Sequence, residues 1–184
     1  SSPKFSLATY EMSIVENVPG ETVIGQVRAT SSDSDLQMKY SLPHSNSFSI
    51  DPITGYIKTR GDLVLDREVQ DFHSFTVEVT DTAVPPRSAY ALVSLKITDE
   101  NDNAPAFSQS IYNLTVKEDL IDLPKAIGQI TAIDPDSEDN AKVTYSLISG
   151  NLGDVFVLDS DIGVLSVSKE LDRELSDVYH LKIQ

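Results

Sequence analysis

Near the middle of the chain, Asp99-Glu100-Asn101-Asp102-Asn103-Ala104-Pro105 sets five oxygen-bearing side chains in succession. Carboxylates and amide carbonyls are hard donors, of the kind that calcium collects in flexible shells of several oxygens. A strand-like run, Ala91 to Thr98, leads into them, and Pro105 rules out a helix continuing past them. The stretch reads either as a linker that binds a hard cation or as a solvated polar turn, because Asp and Asn are also common turn residues. The rest of the chain decides between the two.

Charge favours a cation. Asp and Glu number 29 against 14 Lys and Arg, for a formal charge of −15, so nucleic acid or an anionic membrane surface would be repelled. There is no cysteine, which excludes disulfides and thiolate metal sites. His44, His73 and His180 lie in different segments, without partners at metal-ligand or triad spacing, and read as ordinary surface or strand residues. No apolar run approaches the length of a membrane span, and the N-terminus lacks the charged and apolar regions of a signal peptide. If the protein is secreted or anchored, those segments are expected outside this piece.

The elements that must position the acids read as strands. Tyr10, Met12 and Ile14 alternate with polar residues, as do Met38, Tyr40 and Leu42, then Phe75, Val77 and Val79, then Ala91, Val93, Leu95 and Ile97. Turn-forming residues separate them at Pro19-Gly20, Ser31 to Asp35, Asp51-Pro52 with Gly55, and Pro85-Pro86. No helical stripe competes. About seven short strands per hundred residues predict a β-sandwich, and the length, 184 residues with 40% hydrophobic, suits one large domain or two of about 90 to 100.

An internal repeat selects two domains. Pro3-Lys4-Phe5, Tyr10 and Glu16 recur as Pro105-Ala106-Phe107, Tyr112 and Glu118, at a constant offset of 102. Further on the register drifts through loops of unequal length: Tyr40-Ser41-Leu42 returns as Tyr145-Ser146-Leu147, Phe48 to Gly55 as Phe156 to Gly163, and Leu65-Asp66-Arg67-Glu68 as Leu171-Asp172-Arg173-Glu174. The predicted organisation is one repeat at 1–98, the acidic linker at 99–105 and a second repeat at 106–184. Tyr179 to Ile183 matches Phe75 to Val79, so the second copy stops short of its last strand and the natural chain is expected to continue, with a further repeat ahead of Ser1.

Asp-Glu-Asn-Asp-Asn at 99–103, Leu-Asp-Arg-Glu at 65–68 and 171–174, Val-Glu-Asn at 15–17 and Asp-Pro-Asp at 134–136 together resemble the motifs of cadherin extracellular repeats, over nearly the whole chain. The resemblance implies an all-β fold of two tandem seven-stranded Greek-key, immunoglobulin-like sandwiches, with two to three Ca2+ ions between successive repeats. It also implies calcium-dependent cell-cell adhesion or recognition rather than catalysis. The ions would stiffen a rod-like ectodomain on the extracellular face of the plasma membrane, in a single-pass, membrane-anchored glycoprotein. Implied partners are other cadherin ectodomains, homophilic or heterophilic, and adjacent repeats at both ends.

Calcium chemistry needs several acids converging from separate segments. Glu16 follows the first strand, and Asp66 and Glu68 flank Arg67; on an extended strand residues two apart share a face, so both carboxylates would point one way and Arg67 the other. The same spacing relates Asp134 and Asp136. Asp99 and Asp102 add carboxylates, Asn101 an amide oxygen, and Glu100 and Asn103 main-chain carbonyls. By the resemblance, one ion would be held by Glu16, Asp66, Glu68 and Asp102, and its neighbour by Glu16, Glu68, Asp99, Glu100, Asp102 and Asp136. A third would take Asn101, Asn103, Asp134 and Asp136, a main-chain oxygen near Asn140, and an Asp expected past Gln184. Asn113-Leu114-Thr115 is a glycosylation sequon, meaningful in a secreted protein.

The first repeat departs from the pattern. Where the second has Asp134 to Asp136, alignment gives Ser31-Ser32-Asp33, and Asp33-Ser34-Asp35 lies too close to Tyr40, while Asp81 keeps its place. Any linker ahead of the chain is therefore expected to bind fewer than three ions and to act as a bend or hinge. With no Trp, the strand swapping of classical cadherins, which inserts an N-terminal Trp, cannot operate from this piece, which favours a long non-classical or protocadherin-like parent. Two other readings remain: a secreted hydrolase working through paired carboxylates, and a calcium-binding sandwich module of a bacterial secreted protein.

Overall fold

A computed structural model describes all residues, Ser1–Gln184, and the chain divides into two compact units, Ser1–Glu100 and Asn101–Gln184. Strands dominate both, and the only helical segments are two short 3-10 turns, Glu138–Ala141 and Leu152–Asp154.

In unit 1, one sheet has the order β2-β9-β8-β5, from β2 (Thr9–Val15), β9 (Ser88–Thr98), β8 (Phe72–Asp81) and β5 (Met38–Ser41). The other has the order β3-β7-β6, from β3 (Val23–Gln26), β7 (Tyr56–Thr59) and β6 (Phe48–Ile50). A short pair joins β1 (Lys4–Phe5) to β4 (Ala29–Thr30). All pairings are antiparallel except β2 with β9, which run parallel from Thr9↔Leu92 to Val15↔Thr98. The expected alternations hold in register: Val77, Val79, Ala91, Val93, Leu95 and Ile97 face inward and meet Ile24, Phe48 and Ile57 of the second sheet. Each such Val, Leu, Ile or Phe side chain, fully buried, contributes about 1.5–3 kcal/mol, and Ala91 less.

Unit 2 repeats this plan in β10 (Ala106–Phe107), β11 (Lys125–Gln129), β12 (Ala132–Ile133), β13 (Leu147–Ser149), β14 (Phe156–Leu158), β15 (Val164–Val167) and β16 (Lys182–Ile183). Two pinned tyrosines show the equivalence. Tyr10 donates its hydroxyl to the Arg28 carbonyl at 2.9 Å and Tyr112 to that of Thr131 at 3.0 Å. The Ala29 and Ala132 amides donate to the hydroxyls of Tyr40 and Tyr145, both at 2.8 Å. The core gathers around Val155, Phe156, Leu165 and Val167.

The copies differ where β9 stands in unit 1, because no segment of unit 2 takes that place. Residues 108–124, which correspond to β2 and its flanks, accordingly carry no ladder: the partner that would pair with them is missing. A cleft of about 600 Å³ opens there, lined by Tyr112, Leu114, Val116, Tyr179 and Leu181.

Candidate metal centre

Glu16 occupies the turn immediately after β2 and is 1% exposed. Its two oxygens serve separate segments. Oε2 accepts from the Arg67 amide at 2.8 Å, and Oε1 accepts from the Glu100 amide, just past β9, at 2.9 Å. The parallel β2–β9 pairing brings them together, and it continues as Glu16 N donates to the Thr98 carbonyl at 3.0 Å. Asn17, at φ 60°, turns the chain away and donates its side-chain amide to Glu100 Oε2 at 2.9 Å.

Asp66-Arg67-Glu68 does not form the extended strand expected of it. Asp66 closes a turn, its Oδ1 accepting from the Val69 amide at 3.1 Å and its carbonyl from that of Gln70 at 2.9 Å. The convergence survives by another route: one oxygen each of Glu16, Asp66 and Glu68 lies within 4.8 Å of the others. Nor does Arg67 point away. Its Nε donates to Asp99 Oδ1 at 2.7 Å and its Nη2 to Glu68 Oε1 at 2.5 Å. Burial, reinforced by the Glu16 charge, holds the Glu68 carboxyl above its ordinary range, against its own amide and Arg67.

In unit 2, Asp134 and Asp136 are 8% and 6% exposed, and Asp134 Oδ1 accepts the Asp136 amide at 2.9 Å. Here the spacing of two does place both acids inward, with Pro135 outward. Asn103 reaches Asp136 Oδ1 through its side-chain amide at 2.6 Å and also donates to Asp102 Oδ1 at 2.8 Å. Asn101 and Asp102 are exposed, and Asn140 lies in the 3-10 turn, its amide on the Ser137 carbonyl at 3.0 Å. Both sets are hard oxygen donors without sulfur or imidazole, which fits calcium or magnesium rather than a transition metal. Asn113 is exposed. Sequence patterns did not single out the Arg67 guanidinium or the Asn17 amide, although the Val-Glu-Asn motif contains Asn17.

The departures in unit 1 have a structural counterpart. Phe5↔Ala29 and Phe107↔Ala132 are equivalent pairs, so Ser31 takes the place of Asp134 and Asp33 that of Asp136. The same turn forms, closed by the Ser31 hydroxyl, which accepts the Asp33 amide at 3.2 Å, and Asp33 is exposed. Asp81 is neutralised from within: the Arg87 guanidinium lies 2.8 Å away, and the Ala83 and Arg87 amides donate to Oδ1 at 3.1 and 2.9 Å. Burial alone would raise this carboxyl, but these donors outweigh it and hold it below its ordinary 3.8. The lowered folded value means that Asp81 contributes stability above its unfolded pKa, lost as pH falls through the folded one. Asp81→Asn is expected to be less stable at neutral pH yet to lose less on acidification below about pH 4. Thermal melts of both chains across that range check this; parallel curves would clear the pair of the role.

Comparison with known proteins follows the same division. The family model described as a cadherin domain matches residues 10–98 and 108–184. Mouse protocadherin Fat 4 is 38% identical over 175 residues, covering 93% of this chain and 4% of that protein. Human cadherin-23 is 38% identical over 172 residues, 91% of this chain and 5% of that protein. The crystal structure of mouse cadherin-23 EC22-24 superposes with a TM-score of 0.81 at 30% identity, over 99% of this chain and 59% of that one. The chain thus spans about a twentieth of the length of these curated relatives.

Proposed function

The chain belongs to the cadherin family, and from that premise we propose that its two repeats are a calcium-stiffened segment of a rod-like adhesion ectodomain. Cadherin repeats are adhesion modules and not enzymes, which displaces the hydrolase reading. The observation that carries the proposal is the convergence of Glu16, Asp66 and Glu68 within 4.8 Å, around a carboxylate that is almost wholly buried. Asp66 and Glu68 reach solvent beside it, and like-charged carboxylates this close repel unless a cation joins them.

In this reading, Asp99, Glu100, Asn101, Asp102 and Asn103 supply ligands between the two sets, and Asp134, Asp136 and a main-chain oxygen near Asn140 supply the second. The Glu100 and Asn103 side chains are engaged by Asn17 and Asp136, which supports a main-chain role for both. Two to three Ca2+ ions would be held. The bound cation supplies positive charge; the chain's residues fix the distance and direction of the oxygens. The parent is proposed to be membrane-anchored with these repeats outside the cell, to meet other cadherin ectodomains, and to carry a glycan on the exposed Asn113. No helix of this chain is long and apolar enough to cross a membrane.

The seven carboxylates Glu16, Asp66, Glu68, Asp99, Asp102, Asp134 and Asp136 repel when no cation is bound. Two unit charges about 5 Å apart repel by roughly 1 to 3 kcal/mol at effective dielectrics between about 80 and 20. Removing calcium is therefore expected to loosen the joint between repeats and leave the strands intact. Small-angle scattering with calcium and with chelator, beside circular dichroism, tests this. Unchanged dimensions after confirmed calcium release would refute the stiffening role.

A further inference from the structure

Arg67 sits among acids that the calcium reading assigns to the metal, yet it is a cation itself. Its guanidinium spans two carboxylates, with Nε 2.7 Å from Asp99 Oδ1 and Nη2 2.5 Å from Glu68 Oε1, and its own amide holds Glu16 Oε2 at 2.8 Å. One residue thus contacts acids from three segments: the turn after β2, the 65–70 loop and the stretch after β9. The side chains of Arg67, Glu68 and Asp99 are 18%, 20% and 10% exposed, so water screens these pairs less than it would on an open surface.

The second repeat shows the main-chain half of the arrangement again. It carries the same Leu-Asp-Arg-Glu, and Arg173 donates its amide to Glu118 Oε2 at 3.1 Å, as Arg67 does to Glu16. Its guanidinium, however, stands 3.8 Å from Glu174, with the two side chains 71% and 85% exposed. The motif alone does not lock its arginine. In unit 1 the second carboxylate that the guanidinium engages is Asp99, just past β9.

We propose that Arg67 is a resident cation of the acidic site, holding Asp99 and Glu68 in place when calcium is absent and yielding that role to calcium when it binds. The proposal rests on the calcium reading above. It makes Arg67 a positioning residue for the site. A guanidinium suits the task because its fork engages two carboxylates in fixed directions, whereas a lysine ammonium would be a single point charge.

Hydrogen exchange measured by mass spectrometry on the whole chain tests this, in chelator and in saturating calcium. In chelator, Arg67→Gln is expected to accelerate exchange in the 65–70 and 97–101 segments about tenfold, in line with the loss of charged hydrogen bonds, and Arg67→Lys by less. In calcium the variants should match the wild type within about twofold, because the metal now fixes the same carboxylates. Arg173→Gln should leave both segments unchanged. Equal acceleration with and without calcium would reduce Arg67 to a packing residue, and no acceleration in either would remove it from the site; both overturn the proposal. Wild-type exchange that calcium does not slow would refute the calcium reading itself, and the proposal with it, an outcome distinct from the other two.

Discussion

Replacing Glu16 with Ala is expected to weaken calcium binding by at least about tenfold and to destabilise unit 1 by about 3 kcal/mol even in chelator. The two effects have separate causes. Glu16 is almost fully buried and accepts the amides of Arg67 and Glu100, so truncation strands two donors that water reaches poorly. Hydrogen bonds to a charged acceptor contribute about 1.5–3 kcal/mol each, of which relaxation and entering water recover part. The calcium effect arises from lost charge in a site that already gathers Asp66 and Glu68. Glu16→Gln separates the causes, since its amide keeps one acceptor oxygen but no charge. It should retain more than half of the stability in chelator and still lose calcium affinity by about tenfold. Chemical denaturation in chelator and calorimetric calcium titration check both. Wild-type affinity in Glu16→Gln would show that the ion does not use this carboxylate, and wild-type stability in Glu16→Ala would show that the two amides find other partners.

The strands were legible wherever one face is buried and the other solvated, because that condition writes a period of two into the residues; Val77 with Val79 and Ala91 to Ile97 are examples. Phe5, Tyr10 and Tyr40 were legible twice over, through their repetition in the second copy. What periodicity could not show was a turn closed by a side chain. Asp66 reads as one of two acids on a strand face, yet its carboxylate caps its own loop, and an Asx turn has no apolar pattern. The lack of a ladder at 108–124 follows from the last strand that the repeat alignment found wanting in the second copy, since a strand is defined by its partner. Charges were visible and pairings were not: Asp81 keeps the place that the cadherin resemblance gives to an acid, while Arg87, six residues on, neutralises it through a turn that only the folded chain closes.

Valine at Gly55 is expected to destabilise unit 1 by about 3 kcal/mol or more, with a matching loss in unit 2 from Gly163→Val. Both glycines end the same turn. Asp51 Oδ1 accepts the amides of Ile53 and Thr54 at 2.9 and 2.8 Å, and the Gly55 amide returns to the Asp51 carbonyl at 3.0 Å. Asp159 does the same for Asp161 and Ile162 at 2.9 and 3.1 Å, with Gly163 returning at 3.0 Å. The turns bring the chain back at φ +77° and +71°, where an L residue costs about 1–2 kcal/mol and a β-branched one more. Space is the second obstacle. A Cβ would lie 2.3 Å from the Val27 carbonyl oxygen at Gly55 and 2.2 Å from that of Ile130 at Gly163, and neither backbone can retreat easily. The amides of Val27 and Ile130 are bonded to the two glycine carbonyls at 3.0 and 2.8 Å, so moving away to relieve the clash stretches those bonds. Gly61 is the control: it carries no such φ, and its Cβ would meet only the Glu21 carboxylate oxygen at 3.6 Å, so Gly61→Ala should stay within about 0.5 kcal/mol of the wild type. Chemical denaturation at fixed calcium ranks the three variants. A Gly55→Val chain as stable as Gly61→Ala would mean that the turn can invert without loss, and that its recurrence in both repeats is not imposed by backbone geometry.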